Sequence, residues 1–145
     1  MPRRDPAKAV QVLDAMLEFF DSGGRWTRGN LHDPIGNRCL IGALRHVRRQ
    51  QNIRGAGTEF YLHTAFLAAL EEMNSLHMVG LIPFRATGAE ADLMRYNDLS
   101  VSYDEVQALI VAARDRAQAE LDEECKRRRP PSARMVETKE MVTQP

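Results

Sequence analysis

Cys39 is the side chain in this sequence that is best placed to act as a nucleophile. Asn37 can cap a helix, and this would put Cys39 in the first helical turn, where free amides and the helix dipole stabilise a thiolate. His63 could then serve as a general base, with Asn97 or Asp98 to orient it, in the chain order of papain-like hydrolases. Such a set would make the protein a thiol-dependent hydrolase or transferase.

Ordinary structural roles explain the same residues without catalysis. Cys39 can be a small buried side chain that faces Gly42 and Ala43, and buried structural cysteines are inert. No diagnostic motif flanks His63, and chain order alone is weak support for a catalytic set. We therefore favour a non-catalytic binding or regulatory module, with the thiol-dependent enzyme as the alternative.

Four residues are candidates for ligand binding: Trp26, Tyr96, Asn97 and Asp98. Trp26 lies in a loop rich in Gly, Asn, Asp and Pro, and polar groups on ordered loops often bind ligands. Asn and Asp in sequence are also common turn formers. Our leading hypothesis is that these four residues and Cys39 organise a shared structural centre.

The histidines and cysteines do not predict a bound metal or cofactor. His32 and Asp33 are neighbours, but His46 and His77 lie elsewhere in the chain, and no pair among them has the spacing of metal ligands. Two cysteines cannot build a Cys-based metal cage or a disulfide framework. We expect no metal, no cofactor, and reduced thiols in the cytoplasm.

Four arginines cluster on and after the second predicted helix: Arg45, Arg48, Arg49 and Arg54. A helix that carries several arginines can lie along the phosphates of a nucleic acid. Against this, the 20 basic residues are balanced by 20 acidic ones, and no aromatic residues alternate with the arginines. The pattern favours a solvated helix face, and weak nucleic-acid binding is the third hypothesis.

Three parts of the sequence together match a pattern: Trp26, the run Gly-Asn-Arg-Cys-Leu-Ile-Gly-Ala-Leu at 36–44, and the run from Tyr-Asn-Asp to Ser-Tyr-Asp-Glu-Val at 96–106. With these motifs the sequence resembles a family of small bacterial proteins of unknown function, found mostly in actinobacteria. The resemblance spans roughly residues 26–113, within which 57–85 looks like an insertion. It implies a helical fold and a bacterial or phage setting, and it assigns no catalytic residue.

Helices must position these residues, because apolar side chains recur with helical spacing through most of the chain. Each of the predicted helices follows a capping residue: Asp5, Asn37, Thr58, Thr87 or Ser102. Residues 76–84 lack this spacing and contain Gly80 and Pro83, which indicates a short strand or an extended connection. We predict a mainly α protein, a compact bundle of about four to five helices.

A chain of 145 residues suits one hydrophobic core, so we expect a single helical domain over residues 1–129. Residues 130–145 are polar and lack aromatics, which predicts a disordered tail. No apolar run approaches the ~20 residues that a membrane-spanning helix needs, and the first residues do not show the pattern of a signal peptide, so we expect neither a membrane span nor a signal peptide. The apolar stripe of the last helix continues through Leu121, so we expect a homodimer there or another protein partner.

Overall fold

Residues 5–77 and 89–128 are described in the computed structural model, and they fold into five α-helices. The helices are α1 (Pro6–Phe20), α2 (Leu40–Gln50), α3 (Ala56–His77), α4 (Ala89–Leu99) and α5 (Tyr103–Arg128), with a 3-10 turn over Asp21–Gly23. Within this described part there are two isolated β-bridges, both to Arg38, and no strand. The predicted helical bundle is confirmed.

Helix α1 begins after Asp5, as predicted, and it ends at Phe20, just before the Ser-Gly-Gly run at 22–24 where the sequence predicts its end. The Asp5 carboxylate accepts a hydrogen bond from the amide of Lys8 (3.1 Å), and Pro6 occupies the first turn, where a missing amide proton costs nothing. At the other end Asp21 takes a left-handed conformation with φ 47°, and its amide donates to the carbonyl of Glu18. Both helix ends are therefore satisfied locally.

The hydrophobic core lies between the three longest helices, α1, α3 and α5. Helix α1 packs on α5 and α2, and α3 packs on α5 and α4. Helix α4 also packs on α2, which places the end of α4 close to the loop that precedes α2. The largest fully buried side chains include Leu13, Met16, Phe20, Leu62, Phe66, Leu70, Leu109 and Ile110.

Helix α3 is longer than predicted at both ends. It begins at Ala56 rather than after Thr58, and it continues to His77, whereas the sequence pattern predicts an end near Asn74. Met73 is partly buried against the core, and this packing favours continued helix over the weak local signal at Asn74. The first two residues of the predicted strand or connection at 76–84 are thus helical.

Several predictions fall on parts of the chain outside the described residues. These are the rest of the predicted connection (78–84), the cap at Thr87 and the tail at 130–145. At the start of α5, Glu105 reaches back as a capping-box glutamate does, although its carboxylate accepts from the amide of Val101 (2.7 Å) rather than that of Ser102. Among the described helices, none combines the length and the apolar composition needed to cross a membrane.

Candidate functional site

Hydrogen bonds between the two halves of the loop that connects α1 and α2 order this loop. The amide of Thr27 donates to the carbonyl of Arg38 (3.1 Å). The Asp33 carboxylate accepts from both the backbone and the side-chain nitrogen of Asn37, at 2.8 and 2.9 Å. The loop therefore presents Trp26 from a defined backbone, as predicted.

Asn97 connects three parts of the chain through one buried amide. Its Oδ1 accepts hydrogen bonds from Trp26 Nε1 (2.7 Å) and from the backbone N–H of Leu40 (3.0 Å). Its Nδ2 donates to the carbonyl of Thr27 (3.1 Å), and the residue is 0% exposed. Asn97 thereby fixes the Trp26 loop and the start of α2 against α4.

Asp98 and Tyr96 flank Asn97 and contact different elements. The Asp98 carboxylate accepts from the amide of Gly29 in the loop (2.8 Å), whereas the Tyr96 hydroxyl donates to the carbonyl of Glu105 in α5 (2.9 Å). Burial, with a smaller effect of the Glu105 carboxylate, raises the pKa of Tyr96 to about 12. Of the predicted ligand-binding residues, Asn97 and Asp98 meet at the Trp26 loop, and Tyr96 is bonded to α5 instead.

The residue types of Asn97 and Asp98 predict a turn between the last two helices, and this prediction is wrong, because both residues lie in the last turn of α4. The helix is closed by Ser100, whose amide and hydroxyl both donate to the carbonyl of Tyr96, at 3.0 and 2.7 Å. The preference of Asn and Asp for turns is a local effect. Here the bonds that these side chains make to a distant loop outweigh it.

Cys39 is the N-cap residue of α2 and not part of its first turn. Its backbone is extended (φ −79°, ψ 178°), and its Sγ accepts from the amide of Gly42 (3.4 Å). The predicted cap, Asn37, is instead bonded to Asp33. The capping prediction is therefore wrong by two positions, because the loop uses Asn37 to close on itself.

The surroundings of Cys39 disfavour a thiolate. The residue is 3% exposed, and its amide donates to the carbonyl of Leu31 (3.2 Å). Burial raises the pKa of the Cys39 thiol, and the Asp98 carboxylate raises it further, against an opposing effect of the Gly42 amide. The loop and the start of α2 pack closely here, since a Cβ added at Gly42 would lie 2.0 Å from the carbonyl oxygen of Leu31.

His63 is placed beside two glutamates. One of its ring nitrogens and a carboxylate oxygen from each of Glu59 and Glu90 all lie within 4.8 Å of one another. In residues 5–77 and 89–128, neither a hydrogen bond nor an ion pair joins His63 to Cys39. The structure thus sets Asp98 near Cys39, and it sets His63 in a different cluster.

A concave surface lies where α2 ends and α3 begins, and we name it the arginine hollow. Its volume is about 450 Å³. Four of its seven lining residues are the arginines that the sequence singled out, and these arginines come from α2 and the following turn. The lining residues are Arg45, Arg48, Arg49, Ile53, Arg54, Gly55 and Glu59.

The arginines of the hollow differ in their partners. Arg45 is paired with Glu90, and Arg48 lies 3.9 Å from a Glu59 oxygen. Within the described ranges neither Arg49 nor Arg54 has a carboxylate partner. The Nε of Arg48 is buried, and no described residue accepts a hydrogen bond from it.

Sequence reasoning missed the cluster of Glu59, His63 and Glu90. One signal was present, because Glu59 and His63 are four positions apart and such residues share one face of a helix. Glu90 carries no such signal. It joins the pair only because the start of α4 packs beside α3.

Comparison with known proteins places the chain in a family of unknown function. No curated protein and no solved structure is significantly similar to it. The model of a family of unknown function, DUF6197, matches residues 4–132, a range that includes all five helices. The chain therefore belongs to the DUF6197 family.

Proposed function

We propose that this protein is a non-catalytic binding module that takes the phosphate group of a small ligand in the arginine hollow. The observation that carries the proposal is the convergence of four arginines on one concavity of about 450 Å³. Volumes of roughly 300–1,000 Å³ are usual for small-molecule sites. A hollow of this size accommodates a phosphate and part of the molecule that bears it.

The charge of the hollow supports an anionic ligand. Its lining contains four arginines and one glutamate, although the whole chain has no net charge. A guanidinium presents its N–H donors in a planar fork that matches phosphate oxygens. Arg49 and Arg54, which have no carboxylate partner in the described part of the chain, are free to supply this fork.

The backbone beside the hollow supports the same ligand. Helix α3 begins at Ala56, directly after the lining residue Gly55, and it runs for 22 residues. The first amides of a helix lack intrahelical acceptors, and the helix dipole adds partial positive charge there. Phosphate groups are commonly bound at such positions. The arginines and the helix start thus favour the same charge.

The residues of the sequence motif support a binding role over catalysis. The Asn97 side chain forms hydrogen bonds with Trp26, Leu40 and Thr27. The Asp98 carboxylate accepts a hydrogen bond from Gly29. Cys39 is buried as an N-cap. These contacts give the motif a structural task, which is to hold the loop, α2 and α4 in fixed relation. Helix α2, whose C-terminal half carries the arginines, is positioned by that arrangement.

Titration calorimetry with inorganic phosphate at constant ionic strength tests the proposal. We expect the wild-type chain to bind phosphate, and the double variant Arg49→Gln/Arg54→Gln to lose most of that affinity. Phosphate at about ten times its Kd should also raise the free energy of unfolding by roughly 1.4 kcal/mol. Arg127→Gln, at the exposed end of α5, is the matched control and should bind as the wild type does.

Two results would contradict the proposal. One is the absence of measurable phosphate binding by the wild type. The other is equal binding by the wild type and the Arg49→Gln/Arg54→Gln variant, which would show that phosphate binds elsewhere. Because both arginines are exposed, we expect the variant to keep the wild-type helical content by circular dichroism.

A further inference from the structure

A second polar cluster borders the arginine hollow and contains both nitrogen and oxygen donors. Glu59 and His63 lie one turn apart on α3, and Glu90 lies in the first turn of α4. All three are half-buried, and one donor atom from each lies within 4.8 Å of the others. The three donors therefore converge from two helices on a small volume.

This donor set suits a divalent transition metal. An imidazole nitrogen with two carboxylate oxygens is a combination that Zn²⁺ and Mn²⁺ accept. With metal–ligand bonds of about 2.0–2.2 Å, neighbouring donors stand roughly 3–3.5 Å apart. The three donor atoms already lie within 4.8 Å of one another, so binding requires them to approach by no more than about 2 Å. A purely acidic surface patch would lack the nitrogen ligand.

Two arginines already interact with the carboxylates of this cluster. Arg45 is paired with Glu90, and Arg48 lies 3.9 Å from a Glu59 oxygen. The four arginines of the hollow and the carboxylates of Glu59 and Glu90 carry four positive and two negative charges, so a dication at the cluster raises the local excess from two positive charges to four. A dianion in the adjacent arginine hollow lowers this excess to two again, because the arginines that line the hollow include Arg45 and Arg48, the partners of the two glutamates. Cation and anion should therefore favour each other's binding.

We propose that Glu59, His63 and Glu90 bind a divalent transition-metal ion, and that this ion and an anion in the arginine hollow bind cooperatively. The metal takes carboxylate oxygens that Arg45 and Arg48 now hold, and the released guanidinium donors turn to the anion. The cooperative part rests on the proposed function, whereas the metal site does not. Glu59 lines the hollow and belongs to the cluster, so it links the two sites physically.

The probe for the metal is Mn²⁺ alone, whose free six-line electron paramagnetic resonance signal disappears on binding. We expect the wild-type chain to quench this signal with a saturable, one-to-one stoichiometry. His63→Gln and Glu59→Gln should each weaken Mn²⁺ binding at least about tenfold. His32→Gln replaces an exposed histidine of the loop and should leave binding unchanged. No quenching by the wild type, or equal quenching by His63→Gln, would overturn the metal site.

Cooperativity is measured with sulfate, a tetrahedral dianion that forms no insoluble manganese salt. Coupling between two sites is reciprocal, so sulfate should tighten Mn²⁺ binding by the same factor by which Mn²⁺ tightens sulfate binding, at least about fivefold. The Arg49→Gln/Arg54→Gln variant should bind Mn²⁺ alone at least as tightly as the wild type does, because two nearby positive charges are gone, and it should lose the enhancement by sulfate. Binding of both ions by the wild type with no mutual effect would overturn the coupling.

The two proposals fail in distinguishable ways. If His63→Gln loses Mn²⁺ but still binds phosphate, both the metal site and the separate anion site are supported. If the wild type binds Mn²⁺ but neither phosphate nor sulfate, the anion-binding function and the coupling are wrong, and the metal site stands. If it binds the anions but not Mn²⁺, the metal site is wrong and the proposed function stands.

Discussion

At the scale of single residues, Asn97 makes the contacts with the largest structural consequence. Replacing Asn97 by Ala removes the acceptor for Trp26 Nε1 and for the Leu40 amide. The Leu40 amide would be left unpaired in a buried position and Trp26 Nε1 in a partly buried one, so we expect a loss of about 2–4 kcal/mol in the free energy of unfolding. Urea denaturation measures it.

Asn30→Ala is the matched control for Asn97→Ala, because Asn30 is exposed. We expect this control to change the free energy of unfolding by less than about 0.5 kcal/mol. If Asn97→Ala lost as little stability as the control, the hydrogen bonds of Asn97 would not be what holds the loop.

Cys39 and Cys125 should differ in their reactivity toward a thiol reagent. Cys39 is buried and Cys125 is exposed, and burial raises the pKa of the Cys39 thiol, which lowers its thiolate fraction at neutral pH. We therefore expect Cys125 to be labelled first at pH 7 and Cys39 only slowly. Mass spectrometry of a labelling time course measures this, and faster labelling of Cys39 would favour the thiol-dependent enzyme.

At the scale of elements, the start of α2 depends on the Cys39 side chain as its cap. Cys39→Ala removes the acceptor for the Gly42 amide, and we expect a cost of about 1 kcal/mol. Cys39→Ser keeps an acceptor at a position where Ser is a preferred residue, so its cost should be smaller. Thermal unfolding of both variants compares them, and a larger loss for Cys39→Ser would contradict the capping role.

The junction of α4 with α5 should make stability depend on alkaline pH. Since burial raises the pKa of Tyr96 to about 12, folding favours its protonated form. This contribution is complete below the ordinary pKa of about 10 and is lost as the pH rises through 12. The pKa of the Cys39 thiol is also raised, so its ionisation likewise lowers the stability of the fold as the pH rises, beginning at a lower pH than that of Tyr96.

Tyr96→Phe isolates the tyrosine's share of this pH dependence. At pH 8 the variant should be about 1 kcal/mol less stable than the wild type, because it lacks the hydrogen bond to the Glu105 carbonyl. Toward pH 12 the wild type should lose roughly 1–3 kcal/mol that the variant does not lose, so the variant's disadvantage should disappear or reverse. Urea unfolding at both pH values measures the difference, and a disadvantage that stays constant with pH would contradict this assignment.

At the scale of the whole molecule, a groove between α3 and α5 is the surface where we expect a second copy to dock. The groove has a volume of about 480 Å³, and Phe60, which lines it, is 59% exposed. Ala65, Ala68 and Ala119 line it as well. Small side chains permit close approach of another helix, and the homodimer through the last helix stays a prediction.

Sedimentation equilibrium tests this association. We expect a weak dimer at high micromolar concentration, and we expect Phe60→Lys to shift the mass to that of one chain. Ile35→Lys, which changes an exposed residue of the loop outside the groove, is the control. A mass of one chain for the wild type at these concentrations would show that the groove does not pair with itself.

The sequence by itself determined the helices, because their signals are local. Caps such as Asp5 and apolar stripes such as that of α5 depend on residues within one or two turns of each other. Such interactions survive in any arrangement of the helices. The helical fold was therefore predictable before the helices were docked.

Only the tertiary structure decided which residues form sites. Asn97 meets Trp26 across 71 positions of sequence, and that contact kept it within α4. Glu90 reaches His63 only through the packing of α4 on α3. The arginines line a common hollow because α3 starts beside the end of α2. Contacts of this kind depend on helix docking, to which many weak side-chain interactions contribute at once, and no local pattern of residues encodes them.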